Sequence, residues 1–389
     1  MLTKFPITLH ILTFSIIHYM RSLCLCLLAL MGLMGSAMGQ SLAKDRLALN
    51  LVQQAMDKLH NGEFDRADSL MEGLPARYAR HPATATFKAL MLYNRFFPIL
   101  QNRPMYEVYK QQLLEVITIS QAAQKANEGD AEAMFFEMMG HTMLGRSAAD
   151  EGEKMDAVVH TRHGFPLIKR GFALKEGYPD FYFSTGLYHY YRERYPEDHP
   201  LYKPFLMFFP AGNKKEGIAD LERAAERAIF THTEASVFLI NITLHLEAQR
   251  EQALNYSTEL YRKYPGNFFF KALHIEALMI NGRTSEAATI MQTLNGPAPY
   301  HRAAVAALQG WVEERQKDHP QAETLYKRAL ELSADVKKAN NNHRGYAYAG
   351  LARIAASRGQ TKEARAYYKQ AAAITQSILV KNEARKYLR

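Results

Sequence analysis

Residues 346–376 read YAYAGLARIAASRGQTKEARAYYKQAAAITQ, and this stretch determines the fold. Two segments with helical periodicity flank a turn at Gly359. Ala352 and Ala364 stand where two antiparallel helices would cross, and small side chains at a crossing allow helices to approach closely. The stretch therefore predicts a helix–turn–helix unit with a tightly packed crossing.

The same arrangement occurs three more times upstream. The residues equivalent to Ala364 are Ala322, Ala287 and Ala253, at successive spacings of 42, 35 and 34 residues. A period near 34 residues is typical of stacked helical-repeat arrays. The longest spacing indicates an insertion around residues 337–342, and the four units together cover residues 232–380.

The unit at 346–376 closely resembles a tetratricopeptide repeat. The positions that carry the resemblance are Leu351, Ala352, Gly359, Ala364, Tyr368 and Ala371, which match the large, small, turn, small, aromatic and small positions of that family. The resemblance implies an all-α fold, a right-handed α-solenoid of antiparallel helix pairs. It also implies that a partner would lie along the concave face formed by the first helix of each pair.

The N-terminal half repeats the scheme less regularly. Gly62 and Ala67 mark the turn and second helix of a first pair, and further pairs are predicted around Pro104, over 130–175 and over 180–230. Pro166 is expected to kink or break the second helix of the third pair. The chain is therefore predicted to contain seven to nine pairs, irregular over residues 40–230 and regular over 231–389.

Residues 1–39 differ from the rest because they contain no Asp or Glu and carry an apolar run from Leu23 to Met34, followed by small residues. This pattern predicts a signal peptide cleaved before Gln40, with Met20 as an alternative start. An uncleaved N-terminal membrane anchor is the alternative interpretation. We therefore expect an exported protein of the periplasm or cell envelope.

Catalytic and metal-binding motifs are sparse. Cys24 and Cys26 are the two cysteines and both lie in the leader, so the mature chain would have no disulfide, thiolate ligand or cysteine nucleophile. Asp156, His160 and His163 share a helix face and could hold zinc, but an exposed polar face is the favoured interpretation. We predict no catalytic residue, no metal and no cofactor.

The C-terminal end is strongly basic. Residues 337–389 contain twelve Lys or Arg and two Glu, a local charge of +10 in a chain of net charge +9. In an exported protein this indicates acidic lipid headgroups, anionic glycan or an acidic protein surface, and not nucleic acid. A solvated helix face explains the pattern equally well.

The segment 195–213 combines four prolines with an apolar cluster. Prolines at 196, 200, 204 and 210 are expected to prevent a continuous helix. The apolar cluster between them consists of Phe205, Leu206, Met207, Phe208 and Phe209. This segment is predicted to plug the solenoid or to contact a membrane or partner.

The resemblance to the tetratricopeptide family also points to partner-binding positions. These are Phe238, Ile242, His245, Phe269, Glu276, Trp311, Arg315, Tyr346 and Arg353. The favoured function is a non-enzymatic scaffold of the cell envelope that binds a protein or peptide. The alternatives are an envelope structural protein that contacts lipid through the 205–209 loop and the basic C-terminus, and a metal-dependent enzyme hidden in the irregular half.

Overall fold

The computed structural model describes residues 41–198, 200–203, 209–296, 298–334 and 341–389. Over these residues the chain is all-helical and forms seventeen α-helices. The helices are α1 (Arg46–His60), α2 (Phe64–Glu72), α3 (Pro82–Arg95), α4 (Arg103–Ala126), α5 (Ala131–Glu151), α6 (Lys154–Leu174), α7 (Phe181–Asp198), α8 (Lys214–Arg227), α9 (His232–Asn241), α10 (Arg250–Lys263), α11 (Phe268–Ile280), α12 (Thr284–Met291), α13 (Pro299–Arg315), α14 (His319–Leu332), α15 (Asn341–Ser357), α16 (Thr361–Ile374) and α17 (Ile378–Leu388). The predicted leader and residues 205–208 lie outside the described residues.

Consecutive helices pack on one another along the described chain, and first helices of neighbouring pairs also touch, as α11 does α13 and α13 does α15. Over the described residues the arrangement is a solenoid of eight pairs followed by α17, which confirms the predicted fold class and number of pairs. The predicted division after residue 230 falls between α8 and α9, which pack against each other.

Most turns between the helices of a pair need a left-handed backbone. Gly62, Gly152, Gly282 and Gly359 have φ between 76° and 85°, a region that glycine adopts without steric cost. Lys317 holds the same conformation at the α13–α14 turn, with φ of 75°. Among the eight described pairs, glycine therefore marks the turn in four.

The crossings in the C-terminal half are as close as the small residues predict. Ala322 and Ala364 are completely buried. The ring of Tyr326 on α14 packs between Gly310 of its own pair and Gly350 of the next, where an added methyl group would overlap the ring. The hydroxyl of Tyr326 donates to Glu314 at 2.6 Å. One aromatic side chain thus joins two pairs.

The four prolines of residues 195–213 do interrupt the helix: α7 passes through Pro196 but ends at residue 198, and residues 210–213 are not helical. The predicted break at Pro166 was wrong, because α6 continues through that residue. Pro166 and Arg162, whose carbonyl loses its helical partner, are both exposed, so water can bond that carbonyl. The lost hydrogen bond is thereby replaced without breaking the helix.

The array also bends back on itself, so that the first pair touches the junction of the fifth and sixth pairs. The Tyr264 hydroxyl donates to Asp57 at 2.6 Å, and the Gly266 amide donates to the Asn61 side chain at 2.8 Å. A side chain at Gly266 would collide with the Asn61 carbonyl at 2.5 Å. These contacts span more than 200 residues, and no repeat pattern predicts them.

Candidate interaction surface

A buried polar network occupies the inner side of the C-terminal pairs. Glu276 on α11 is 3% exposed and accepts a hydrogen bond from the Tyr346 hydroxyl at 3.0 Å. The Nε2 atoms of His343 and His245 lie 3.1 and 3.6 Å from its carboxylate oxygens. Because a buried carboxylate is costly without partners, these side chains lock α11 and α15 to the residues that follow α9.

The charge state of this network follows from its surroundings. Burial alone would raise the pKa of Glu276, but His343, His245 and the Tyr346 hydroxyl together hold the pKa below its ordinary value. Burial lowers the pKa of His245. The network therefore contains an ionised carboxylate that other side chains of the same protein already satisfy.

Arg353 on α15 belongs to a second network. Its guanidinium donates to both oxygens of Glu314, at 2.6 and 2.8 Å, and to Glu383 at 3.0 and 3.1 Å. Tyr326 and Tyr368 donate their hydroxyls to the same two carboxylates. Arg353 thus connects α13, α15 and α17, and its hydrogen bonds go to the protein itself.

The predicted partner-binding residues do not form one surface. Five of them are buried within the protein: Ile242, His245, Glu276, Trp311 and Tyr346. The Trp311 ring packs 4.7 Å from that of Tyr346, and Phe238 is half-buried against Phe183. Only Phe269 and Arg315 are exposed. In this conformation those two side chains are the most accessible of the set, and the role of the set stays a prediction.

Phe269 is part of an aromatic cluster, here called the aromatic rim: Phe97, Phe268, Phe269, Tyr300 and His301. The Phe269 ring stacks parallel to Tyr300 at 5.8 Å, and the Phe97 ring meets Phe269 edge-on at 4.9 Å. Phe97 comes from the segment after α3, so the rim joins the N-terminal and C-terminal halves. Arg315 lies fifteen residues beyond Tyr300 on α13, about 22 Å away at the helical rise, and is separate from the rim.

The two histidines of the possible zinc motif, His160 and His163, contact a third histidine, His141, which the sequence pattern did not indicate. His141 on α5 places its Nδ1 3.1 Å from Nδ1 of His160, and its ring stacks on His163 at 5.1 Å. Gly145 and Gly164 let α5 and α6 approach at this point. Burial, and then the neighbouring His160, lower the pKa of His141 to about 4. In the part of the chain that is described, no three His, Cys, Asp or Glu side chains are arranged to hold a metal ion.

In the segment 195–213, which is predicted to plug the solenoid or to contact a membrane or partner, the structure does not describe residues 204–208. Leu201 is 87% exposed and Phe209 is 41% exposed. The Phe209 ring meets that of Phe165 on α6 at 5.1 Å.

Among the described helices, none is long and apolar enough to cross a bilayer.

Comparison with known proteins identifies repeats in the C-terminal half. Residues 301–377 match the family model of the tetratricopeptide repeat. No curated protein sequence matches the chain. A solved tetratricopeptide repeat protein from Parabacteroides merdae ATCC 43184 aligns at 12% identity and a TM-score of 0.32, covering 77% of this chain and 97% of that one. Yeast Tom70 aligns at 13% identity and a TM-score of 0.24, covering 89% and 95%. Both TM-scores lie below 0.5, so neither alignment defines a shared overall shape.

Proposed function

Because the chain contains tetratricopeptide repeats, we propose that it is a non-enzymatic scaffold of the cell envelope that binds a protein partner. Proteins built from such repeats are generally scaffolds, and their stacked helices offer extended binding surfaces. The pattern of residues 1–39 supports export.

The observation that carries the scaffold proposal is the exposed ring of Phe269 in the aromatic rim. Its side chain is 38% exposed, and the parallel ring of Tyr300 lies behind it. Aromatic side chains dominate binding energy at many interfaces. A ring that its neighbours already hold in place loses little conformational freedom on binding. The partner would therefore place an apolar side chain on Phe269.

Photo-crosslinking in living cells tests this contact. A photo-crosslinking amino acid replaces Phe269 in the tagged full-length protein. The matched control places the same amino acid at Leu114, which is 42% exposed on α4. We expect one dominant protein adduct from position 269 and none from position 114. Equal adducts from both positions, or none from either, would contradict the proposal.

The location has its own test. Mass spectrometry of the N-terminus of protein recovered from the envelope fraction should find Gln40 as the first residue. An N-terminus at Met1 or Met20 would support the membrane-anchor alternative.

A second candidate is a structural protein that contacts lipid, and the exposed Leu201 and Phe209 on either side of residues 204–208 favour it. Carbonate extraction of membranes distinguishes the two functions. A scaffold held by a partner should be released, whereas a protein inserted through this loop should stay in the pellet.

A further inference from the structure

A groove of about 430 Å³ lies at the C-terminal end of the array, beside the last two helices. Its lining consists of Ala372 on α16 and of Lys381, Arg385, Leu388 and Arg389 in and after α17. Arg365 on α16 donates to the Leu388 carbonyl at 2.8 Å and so fixes the two helices together. The groove has an apolar floor and a cationic border.

The cations of the border repeat at the spacing of one helical face. Lys381, Arg385 and Arg389 lie four residues apart, and like charges at this spacing repel one another. Among the described residues, none of the three forms an ion pair, and the guanidinium of Arg385 bonds only the side chain of Asn382, at 3.3 Å. The chain thus places three cations in a row, none of them paired with an acidic side chain of the described residues.

The acidic side chains nearby do not pair with this row. Residues 341–389 contain two, Glu363 and Glu383. Glu383 bonds Arg353 and Tyr368. Glu363 precedes Ala372 by nine residues, which at 100° per residue puts it on the opposite side of α16. The charge of the groove is therefore left for a ligand to balance.

We propose that this groove binds an acidic segment of the protein partner. Two or three carboxylates would pair with the row formed by Lys381, Arg385 and Arg389, while a small apolar side chain contacts Ala372 and Leu388. The inference rests on the proposed scaffold function and adds a second contact, away from the aromatic rim.

A peptide fits this groove better than a lipid surface does. Proteins that lie on membranes combine cations with exposed apolar side chains that insert between the lipids. The large hydrophobic side chains that are exposed in the described residues all precede residue 341. The surface around the groove offers charge without a large exposed apolar side chain to insert.

Fluorescence anisotropy with full-length protein and a labelled twelve-residue peptide of Glu-Glu-Leu repeats tests the proposal. The control peptide has Gln in place of every Glu. We expect the acidic peptide alone to bind, more weakly as salt rises from about 50 to about 300 mM, and K381E/R385E to weaken binding at least tenfold. The matched control K125E/K169E changes the net charge equally at two exposed residues on α4 and α6, and it should bind as the unchanged protein does.

Three results would overturn the inference: equal loss of binding in both double variants, binding of the Gln peptide, or binding of phosphatidylglycerol vesicles without binding of the acidic peptide. Should K381E/R385E fail to give the helical circular dichroism of the parent, K381Q/R385Q replaces it, with the same expected loss. The crosslink at position 269 separates this inference from the scaffold proposal. An adduct there with no peptide binding rejects the groove alone.

Discussion

In the C-terminal half, neighbouring helices meet at residues without bulk, such as Gly310, Gly350 and Ala364. The junction between the fourth and fifth pairs, in contrast, is held by a single completely buried carboxylate. Asp180, just before α7, accepts hydrogen bonds from the amides of residues 229, 230 and 231 and from the Thr231 hydroxyl, at 2.8 to 3.1 Å. These glycine and alanine crossings are joined by close packing, and the junction at Asp180 is joined by hydrogen bonds.

The two kinds of contact differ in how many atoms share the stabilising free energy. Close packing is spread over many van der Waals contacts, each of which contributes little. A buried carboxylate with four donors concentrates its contribution in one side chain, because removing it leaves buried amides without partners. Single substitutions should therefore reveal the difference between the two kinds of contact.

The largest expected effect is at the hydrogen-bonded junction. Asp180→Ala would leave three backbone amides without an acceptor in a dry environment, at a cost of roughly 3–5 kcal/mol. We expect a lower urea midpoint, measured by far-ultraviolet circular dichroism. Asp180→Asn, which keeps one acceptor oxygen, should lose about half as much. A loss below about 1 kcal/mol in the Ala variant would mean that water replaces the carboxylate.

Next comes the glycine that contacts Tyr326. Gly350→Ala would place a methyl group in the space of the Tyr326 ring, which is held on its other side by Gly310, so we expect a loss of roughly 2–3 kcal/mol. The matched change in the N-terminal half is Gly140→Ala, whose methyl group would meet the Ile117 side chain at 2.8 Å. This overlap is smaller than the overlap with the Tyr326 ring at Gly350, so the loss there should be about 1 kcal/mol. Equal losses, measured as urea midpoints, would show that the depth of the overlap does not determine the loss of stability.

This contrast also explains how far the sequence predicts the fold. Close packing requires small residues at the same position of each pair. Alanines at 253, 287, 322 and 364 therefore recur at a recognisable period, and the helix pairs and their register could be identified from it. Asp180 occurs once, and its partners lie about fifty residues away, so no local pattern indicates its role. The contacts of Asp57 and Asn61 with residues 264–266 are hidden for the same reason.

The candidate surface was less predictable than the fold. The repeat register locates residues on first helices, but it does not show whether a neighbouring pair covers them. Glu276 and Tyr346 are at predicted inner positions, yet they bond each other across 70 residues and are buried. Phe269, in contrast, stands at the start of α11 and is exposed. Tyr300 and Phe97, its neighbours in the aromatic rim, carry no repeat signal.

A larger side chain at Ala364, on the second helix of the last pair, should destabilise the protein less than one at Gly350. Ala364→Leu adds three carbon atoms at a completely buried position, and we expect a loss of about 1–3 kcal/mol, seen as a lower melting temperature. Ala366→Leu on the exposed side of the same helix is the control and should melt as the parent does. An unchanged melting temperature for Ala364→Leu would show that the repeat register is wrong.

The smallest expected effect depends on pH and should be alike in both halves, because it arises from burial and not from the type of junction. Burial lowers the pKa of His274 on α11 to about 4, as it does for His141 on α5. His274 is 6% exposed and stacks on Tyr261 at 5.0 Å. In the unfolded chain a histidine binds its proton near pH 6.5. Between about pH 6.5 and pH 4 the unfolded state therefore binds more protons, and stability falls as the pH falls.

Replacing either histidine by a neutral side chain should remove its share of this acid sensitivity. In His274→Gln, the stability lost between pH 7 and pH 5 should be smaller than in the parent by about 1–2 kcal/mol. His141→Gln should show a decrease of the same size. Urea midpoints at the two pH values measure both variants. A decrease in only one of the two variants would show that burial perturbs the histidine in one half and not in the other.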